Sequence, residues 1–209
     1  MKAIISDVSR IVNSPSNPFE LFLLFLSVID QNPILVNVAT VDPVDGVASV
    51  SGVFQGWEDD TFRFSAERAS RTYRNTKTNP KVAVTFFFDT IINQTQVTRQ
   101  ILVNGNAREL SEKEIKPYWY MQELHTRIKS HICDCSTPLH WKVIKSEHDK
   151  VLDDFLLGVN NLGQTATFTL YEVIPTRMEF LEAQPFHIAD RIIYSKLRKG
   201  TWRKERICC

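Results

Sequence analysis

The C-terminal end of the chain decides the fold. Residues 178–191 read MEFLEAQPFHIADR, residues 192–194 read IIY, and residues 202–207 read WRKERI. Residues 192–194 are β-branched and aromatic, which is typical of a strand. The pattern predicts strands over residues 166–174, 177–182, 191–197 and 201–207.

The rest of the chain combines short strands with a few helices. Further strands are predicted over residues 34–41, 47–54, 61–65, 81–88 and 96–107. Helices are predicted over residues 17–29, 70–79 and 146–157, and another begins at Ser111. Many short strands with turns between them and a few covering helices predict an α+β fold built on a mostly antiparallel β-barrel.

A single domain is expected, because no repeat or low-complexity linker divides the 209 residues. We divide residues 1–209 into an N-terminal extension (1–16), a barrel core (17–110), a helical segment (111–163) and C-terminal strands (164–209).

Composition limits the classes of partner. Hydrophobic residues make up 43% of the chain, charged residues 23%, and the formal net charge is +1. This balance lacks the basic stripe that nucleic acid binding requires. No apolar run reaches the roughly 18 residues of a membrane span. We therefore expect neither a nucleic acid nor a membrane partner, and a cytoplasmic location.

The cysteines do not suggest a metal site. Cys133-Asp134-Cys135 leaves one residue between its thiols, whereas a zinc knuckle usually has about two. We predict reduced thiols and no bound metal. The pair Cys208-Cys209 is similar to a prenylated C-terminus but has no second membrane anchor beside it, so its role stays open.

Several segments, in the right order and at the right spacing, resemble the pyridoxamine 5′-phosphate oxidase family. Residues 178–206 resemble its closing signature of Glu-Phe-Trp-Gln, Arg-aliphatic-His-Asp-Arg and Trp…Arg-Leu. Residues 17–22 (NPFELF), 62–71 (FRFSAERASR) and 99–105 (RQILVNG) resemble motifs that precede it. The resemblance implies a split β-barrel that binds flavin mononucleotide (FMN) at a homodimer interface. The family's oxidases convert pyridoxine or pyridoxamine 5′-phosphate to pyridoxal 5′-phosphate and pass the electrons to oxygen.

The resemblance also implies a set of cofactor positions. They are Val50, Ser51, Gln55, Ser65, Ala66, Ser70, Arg71, Thr72, Gln100, Ser136, Leu181 and Arg191, with Ser136 supplied by the second subunit. Ser70 and Arg71 keep two of the three phosphate contacts, but Thr72 replaces a lysine. Leu181 replaces the tryptophan that packs near the flavin. Because a guanidinium can bind two phosphate oxygens at once, Arg71 is the candidate anchor of the FMN phosphate.

The implied substrate positions have changed more. They are Gln55, Tyr118, Gln122, Thr126 and His187. Tyr118 is retained, but Gln55, Gln122 and His187 stand where the family has cations. Losing charge-assisted hydrogen bonds, each worth roughly 1.5–3 kcal/mol, argues against a pyridoxamine phosphate as substrate. No catalytic residue is assigned.

Each of these residues also has a purely structural interpretation. Arg71 can cover a helix start in solvent, and Gln55 and Gln100 can be ordinary polar strand residues. Arg191 can pair with a neighbouring acid, and His187 can be a loop residue. The leading hypothesis is an FMN-binding, oxidoreductase-like homodimer that acts on another small molecule. One alternative is a non-catalytic dimer that has weakened or lost FMN, and another is residual pyridoxamine phosphate oxidase activity.

Overall fold

A computed structural model describes residues 6–30, 32–133, 135 and 137–207. Its elements in chain order are β1 (Asp7–Val8), α1 (Pro18–Leu26), β2 (Leu35–Asp42), β3 (Gly46–Glu58), β4 (Thr61–Glu67), α2 (Arg71–Thr78), β5 (Lys81–Ile92), β6 (Thr95–Glu109), α3 (Glu112–Tyr120), α4 (Leu124–Ile132), α5 (Trp141–Leu156), β7 (Phe168–Ala183), β8 (His187–Ile188), β9 (Asp190–Lys196) and β10 (Trp202–Ile207). No helix in these described ranges is long and apolar enough to cross a membrane.

The main sheet bends into a ring. Its eight strands run in the order β10-β9-β7-β4-β3-β2-β5-β6, and β6 also pairs with β7. The ring is therefore β7-β4-β3-β2-β5-β6, with β9 and β10 added outside β7. All of these pairings are antiparallel. The predicted α+β fold, a mostly antiparallel split β-barrel with covering helices, is confirmed.

Helix α1 closes the aromatic core of the ring. The Asn17 side chain accepts a hydrogen bond from the Phe19 backbone N–H at 3.0 Å, which caps the helix before its first-turn proline. The Phe22 ring packs edge-on against Phe62 and Phe86, with centroids 4.9 and 5.4 Å away. Burying each such side chain stabilises the fold by about 1.5–3 kcal/mol.

A bulge in β7 at Thr176, opposite Asn104 and Gly105 of β6, decides which side chains of β7 point inward. The register between β6 and β7 shifts at Asn104/Gly105. Before the shift Tyr171 and Val173 enter the main core, and after it Met178 and Phe180 do. The inward face of β7 therefore changes from odd to even residues, since side chains alternate along a strand.

Several boundaries predicted from the sequence are wrong. The strands expected over 166–174 and 177–182 form one strand, β7, which passes through Pro175 opposite Gly105. The helix expected over 146–157 begins at Trp141, where the His140 side chain accepts from the Lys142 N–H at 3.3 Å. Helix α1 ends at Leu26 rather than at residue 29. Helix α4 and the short pair β1–β8 were not predicted.

Candidate functional site

The predicted cofactor residues fall on two walls of the ring. The first set, here called the α2 wall, lies on β3, β4 and the start of α2: Val50, Ser51, Gln55, Ser65, Ala66, Ser70, Arg71 and Thr72. The second set, here called the β6 wall, is Gln100, Leu181 and Arg191 on β6, β7 and β9. Strand β3 stands opposite β6 in the ring, three positions away in either direction. Ser136 lies outside the described residues.

On the α2 wall, the helix start presents Arg71. The Ser70 hydroxyl accepts from the Tyr73 N–H at 3.2 Å and so caps α2. The Arg71 guanidinium donates to Asp42 Oδ2 and to Asp45 Oδ2, each at 2.6 Å. The backbone N–H of Asp45 and the Arg71 guanidinium hold the pKa of Asp42 well below its usual range. The Arg71 side chain is 46% exposed and lines an open cleft. Asp42 and Asp45 line the same cleft and partly neutralise its charge.

The other residues of this wall contribute little charge. Val50 is 48% exposed, although it lies in register with buried Val38. The middle of β3 pairs with β2 alone, so no strand covers its other edge there. Thr72 follows Arg71 in the first turn of α2 and is partly exposed. Ser65 and Ala66 on β4 lie in register with residues of β7. Their backbone groups are part of the sheet, so the cation that this wall offers at the helix start is Arg71.

On the β6 wall, the three predicted residues lie side by side. Gln100 is in register with Leu181, and Leu181 with Arg191. Together with Leu102 and Glu179 they line a shallow cavity of about 70 Å³. Arg191 Nη1 is 3.9 Å from Glu179 Oε2, while Arg177 binds the other oxygen of that carboxylate at 2.9 Å. The Arg191 guanidinium is 35% exposed and keeps donors available.

The structure brings together part of the predicted substrate set. Gln122 Nε2 donates to Gln55 Oε1 at 2.8 Å and to the Tyr118 carbonyl at 2.9 Å. Tyr118 lies on α3, and Gln122 lies just beyond the end of this helix. Ile115 and Trp119 pack the helix against Phe168 and Leu170 of β7. The Gln122 side chain therefore meets the Gln55 side chain of β3 and the backbone of Tyr118 at one place.

Arg63 joins this group, although the sequence did not single it out. Its guanidinium carbon lies 4.9 Å from the centre of the Tyr118 ring, and Nη2 pairs with Glu58 at 2.6 Å. The side chain is only 12% exposed, and its buried Nε has no hydrogen-bond partner among the described residues. The alternation of β4 was the available signal, because Arg63 faces away from Phe62 and Phe64, which enter the core.

The two remaining substrate candidates lie elsewhere. Among the described residues, no hydrogen bond joins Thr126 of α4 or His187 of β8 to the Gln55–Gln122 pair. His187 follows Phe186, which is 85% exposed and has a left-handed backbone with φ of 66°. His187 Nδ1 is buried without a partner in the part of the chain that is described. A bulky residue in this strained conformation is uncommon and is often found near functional loops.

Comparisons with known proteins identify the family. Residues 28–152 match the family described as pyridoxamine 5′-phosphate oxidase, and residues 168–208 match the pyridoxine 5′-phosphate oxidase C-terminal dimerisation region. The chain belongs to the pyridoxamine 5′-phosphate oxidase family. A pyridoxine/pyridoxamine 5′-phosphate oxidase from Bacteroides thetaiotaomicron is 27% identical over 202 residues, covering 92% of this chain and 89% of the relative. One from Rhodopseudomonas palustris strain HaA2 is 28% identical over 198 residues, covering 91% and 89%.

Solved structures share the fold. PhzG from Burkholderia lata 383, in complex with tetrahydrophenazine-1-carboxylic acid, superposes with a TM-score of 0.81 at 21% identity and covers 97% of this chain and 100% of that one. A pyridoxamine 5′-phosphate oxidase-related, FMN-binding protein from Nostoc punctiforme PCC 73102 gives a TM-score of 0.67 at 16% identity, covering 95% and 100%. At these identities the likeness shows the fold alone. The substrate has to be inferred from the residues of the site.

Proposed function

We propose that this member of the family is an FMN-binding homodimer that carries out redox chemistry on a small molecule other than pyridoxine or pyridoxamine 5′-phosphate. The separation of the α2 wall from the β6 wall carries the proposal. A single chain holds Val50, Ser51 and Gln55 of β3 opposite Gln100 of β6 in its ring. A second copy, with its β6 wall against the α2 wall of the first, would complete one flavin site from both chains and, by symmetry, a second equal site.

An exposed apolar surface supports pairing of two copies. Leu35 of β2 lies in register with Val53 of β3, and the two are 52% and 38% exposed. Val47 on the same strand, and Phe87 and Ile91 on β5, are 73%, 65% and 76% exposed. Exposed apolar residues in such number on neighbouring strands usually mark an interaction surface. The match of residues 168–208 to a dimerisation region points to a homodimer as well.

The donors on the two walls fit FMN. Arg71, at the N-terminus of α2, can bind an anionic phosphate, since the helix start also carries partial positive charge. Gln100 and Arg191 can donate hydrogen bonds to polar edges of the flavin ring. When bound, FMN supplies the electron-transfer chemistry, while the chain orients the ring and excludes water. Leu181 fills volume beside Gln100 without stacking as an indole would.

The substrate end of the proposed site argues for a different substrate. Gln55 and Gln122 bind each other, and His187 is held on a separate short strand. A phosphate monoester would therefore lose the charge-assisted hydrogen bonds that family cations provide, each worth roughly 1.5–3 kcal/mol. Residual pyridoxamine phosphate oxidase activity is tested by measuring the formation of pyridoxal 5′-phosphate. A rate equal to that of a buffer control would exclude this activity.

The absorbance spectrum of the purified chain tests FMN binding. We expect a yellow protein, or one that becomes yellow on soaking with FMN, with a stoichiometry near one FMN per chain. Protein that stays colourless after soaking would contradict the proposal.

A second candidate is a non-catalytic dimer without FMN. The paired carboxylates on Arg71 favour it, because Asp42 and Asp45 already occupy the guanidinium that the phosphate needs. An FMN titration separates the two candidates: micromolar or tighter binding supports the flavoprotein. A dimer that shows no binding in this range supports the second.

A further inference from the structure

Two amide side chains meet where the family has cations. The Gln122 amide nitrogen donates to both Gln55 Oε1 and the Tyr118 carbonyl, at 2.8 and 2.9 Å. Both of its protons are therefore used, while Gln122 Oε1 accepts no hydrogen bond from a described residue. The Gln55 amide nitrogen has only a long contact of 3.4 Å to the Val53 carbonyl. The pair is left with one free acceptor beside one underused donor.

The charges around the pair are balanced. Arg63, the cation beside Tyr118, is already bound to Glu58 at 2.6 Å. On the neighbouring strand, Glu172 lies in register with Arg63 and is bound to Arg108 at 2.7 Å. Both of these arginines are therefore paired with carboxylates, so neither offers a free cation to a phosphate dianion or a carboxylate.

We propose that the Gln55–Gln122 pair recognises an uncharged amide-like edge of the substrate, such as a carboxamide, a lactam or an imide. This inference rests on the proposed function, because it describes the substrate end of the same flavin site. Each such group carries an N–H donor next to a C=O acceptor. It can give its N–H to Gln122 Oε1 and take a hydrogen bond from Gln55 Nε2. A single glutamine amide recognises the donor–acceptor edge of adenine with its own two atoms, and here the donor and the acceptor would come from two glutamines.

An anionic analogue fits the pair poorly. A carboxylate presents two acceptors and no donor, so one of its oxygens would face the lone pairs of Gln122 Oε1. Sites that pair with a specific hydrogen-bonding group discriminate against analogues that lack it, and the partly buried Gln55–Gln122 pair should do so less strongly than a fully buried one. We expect a preference of at least about tenfold for the amide.

Nicotinamide and nicotinate are suitable probes, because they share one ring and differ only in carboxamide against carboxylate. The FMN-loaded chain is titrated with each, and binding is followed by the change in flavin absorbance and by calorimetry. Nicotinamide should bind at least about tenfold more tightly. Gln122→Arg should reverse the preference toward nicotinate. The same substitution in the exposed turn between β5 and β6, Gln94→Arg, should leave it unchanged.

The outcomes separate this inference from the proposed function. Nicotinate binding as tightly as nicotinamide to the FMN-loaded chain, or neither probe binding to it, would overturn the amide assignment while FMN binding stands. This comparison uses the unmodified protein, so it decides the question even where Gln122→Arg does not fold. Failure of the chain to take up FMN is seen before any probe is added, and it overturns the proposed function and this assignment together.

Discussion

At the scale of single residues, Arg71 governs the proposed cofactor site. Val50, Gln55 and Thr72 supply no charge where the resemblance expects cations, which leaves Arg71 as the proposed phosphate ligand, with Arg74 lining the same cleft. Asp42 and Asp45 hold it at the helix start, each at 2.6 Å. The two carboxylates orient Arg71 toward the open cleft, but they also compete with an incoming anion.

Arg71→Gln should weaken FMN binding by about 10- to 150-fold, which corresponds to the roughly 1.5–3 kcal/mol of a lost charge-assisted hydrogen bond. The uncompensated charges of Asp42 and Asp45 would act in the same direction. Fluorescence titration with FMN measures the change. Arg198→Gln, in the exposed turn between β9 and β10, is the matched control and should bind as the unmodified chain does. Equal affinity for all three proteins would exclude Arg71 as the phosphate ligand.

Glu109 gives a prediction about pH. Burial alone would raise the pKa of Glu109, but hydrogen bonds from Lys77, Thr169 and Arg68 outweigh it and lower the pKa below its ordinary value of 4.5. A carboxyl with a lowered native pKa stabilises the fold above the unfolded value, and this stabilisation is lost as pH falls through the native pKa.

Glu109→Gln should therefore be less stable than the unmodified chain at pH 7, by about 1–3 kcal/mol. The difference should shrink as the pH falls below 4.5, where the native carboxyl takes up a proton. Urea denaturation at a series of pH values measures it. A difference that stays constant from about pH 7 to about pH 3 would contradict the hydrogen bonds assigned to the Glu109 carboxylate.

Sequence reasoning found some of the site residues and missed others for physical reasons. Gln55, Tyr118 and Gln122 were predicted from the resemblance, and the structure brings them together. Arg63 was missed because no family motif marks it, and its role depends on a ring supplied by a distant helix. Phe186 was missed because its exposure and its positive φ are set by the turn that it forms.

At the scale of elements, the bulge between β6 and β7 connects the fold to the site. It turns Met178 and Phe180 into the core, so that Glu179 and Leu181 face the other side beside Gln100. Without the shift in register, the alternation of β7 would place Leu181 on the inner face. The β6 wall therefore depends on a local irregularity at Gly105.

Gly105→Ala should destabilise the fold by about 1–3 kcal/mol, because an added methyl group has no room. Its Cβ would lie 2.9 Å from the Ile174 carbonyl carbon and from Val173 Cγ1. Gly52→Ala is the control, since nothing lies within 4 Å of its added Cβ, and it should change stability by no more than about 0.5 kcal/mol. Urea denaturation measures the free energy of unfolding of both variants. Equal values would show that β6 and β7 can move apart at Gly105 without a loss of stability.

The sequence predicted the longer elements better than the short ones. β-Branched and apolar runs between turn residues identified β2 to β6, and capping residues identified the starts of α1 and α2 at Asn17 and Ser70. Strands β1 and β8 are two residues each, too short for a pattern, and form only because the N-terminal segment pairs with the turn after β7. Strand β7 was divided in two because Pro175 normally ends a strand, and the bulge that follows it at Thr176 depends on the pairing with β6, which the local sequence does not show.

At the scale of the whole molecule, the central claim is that two copies build each flavin site. The resemblance implied a homodimer, but no local pattern shows that Arg71 lies at the start of α2, which packs by β3 and β4, while Arg191 lies on β9 outside β7. That separation follows from the strand order and from the closure between β6 and β7. It explains why the exposed apolar surface, the dimerisation region and the divided cofactor residues occur in one chain.

A mixed dimer tests this claim most directly. Arg71→Gln and Arg191→Gln chains are each made with a different affinity tag, and both homodimers should bind FMN weakly. In a heterodimer, one site combines the intact Arg71 of one chain with the intact Arg191 of the other, and the second site lacks both. The account predicts one tightly bound FMN per purified heterodimer. A heterodimer that binds FMN no better than either homodimer would contradict it.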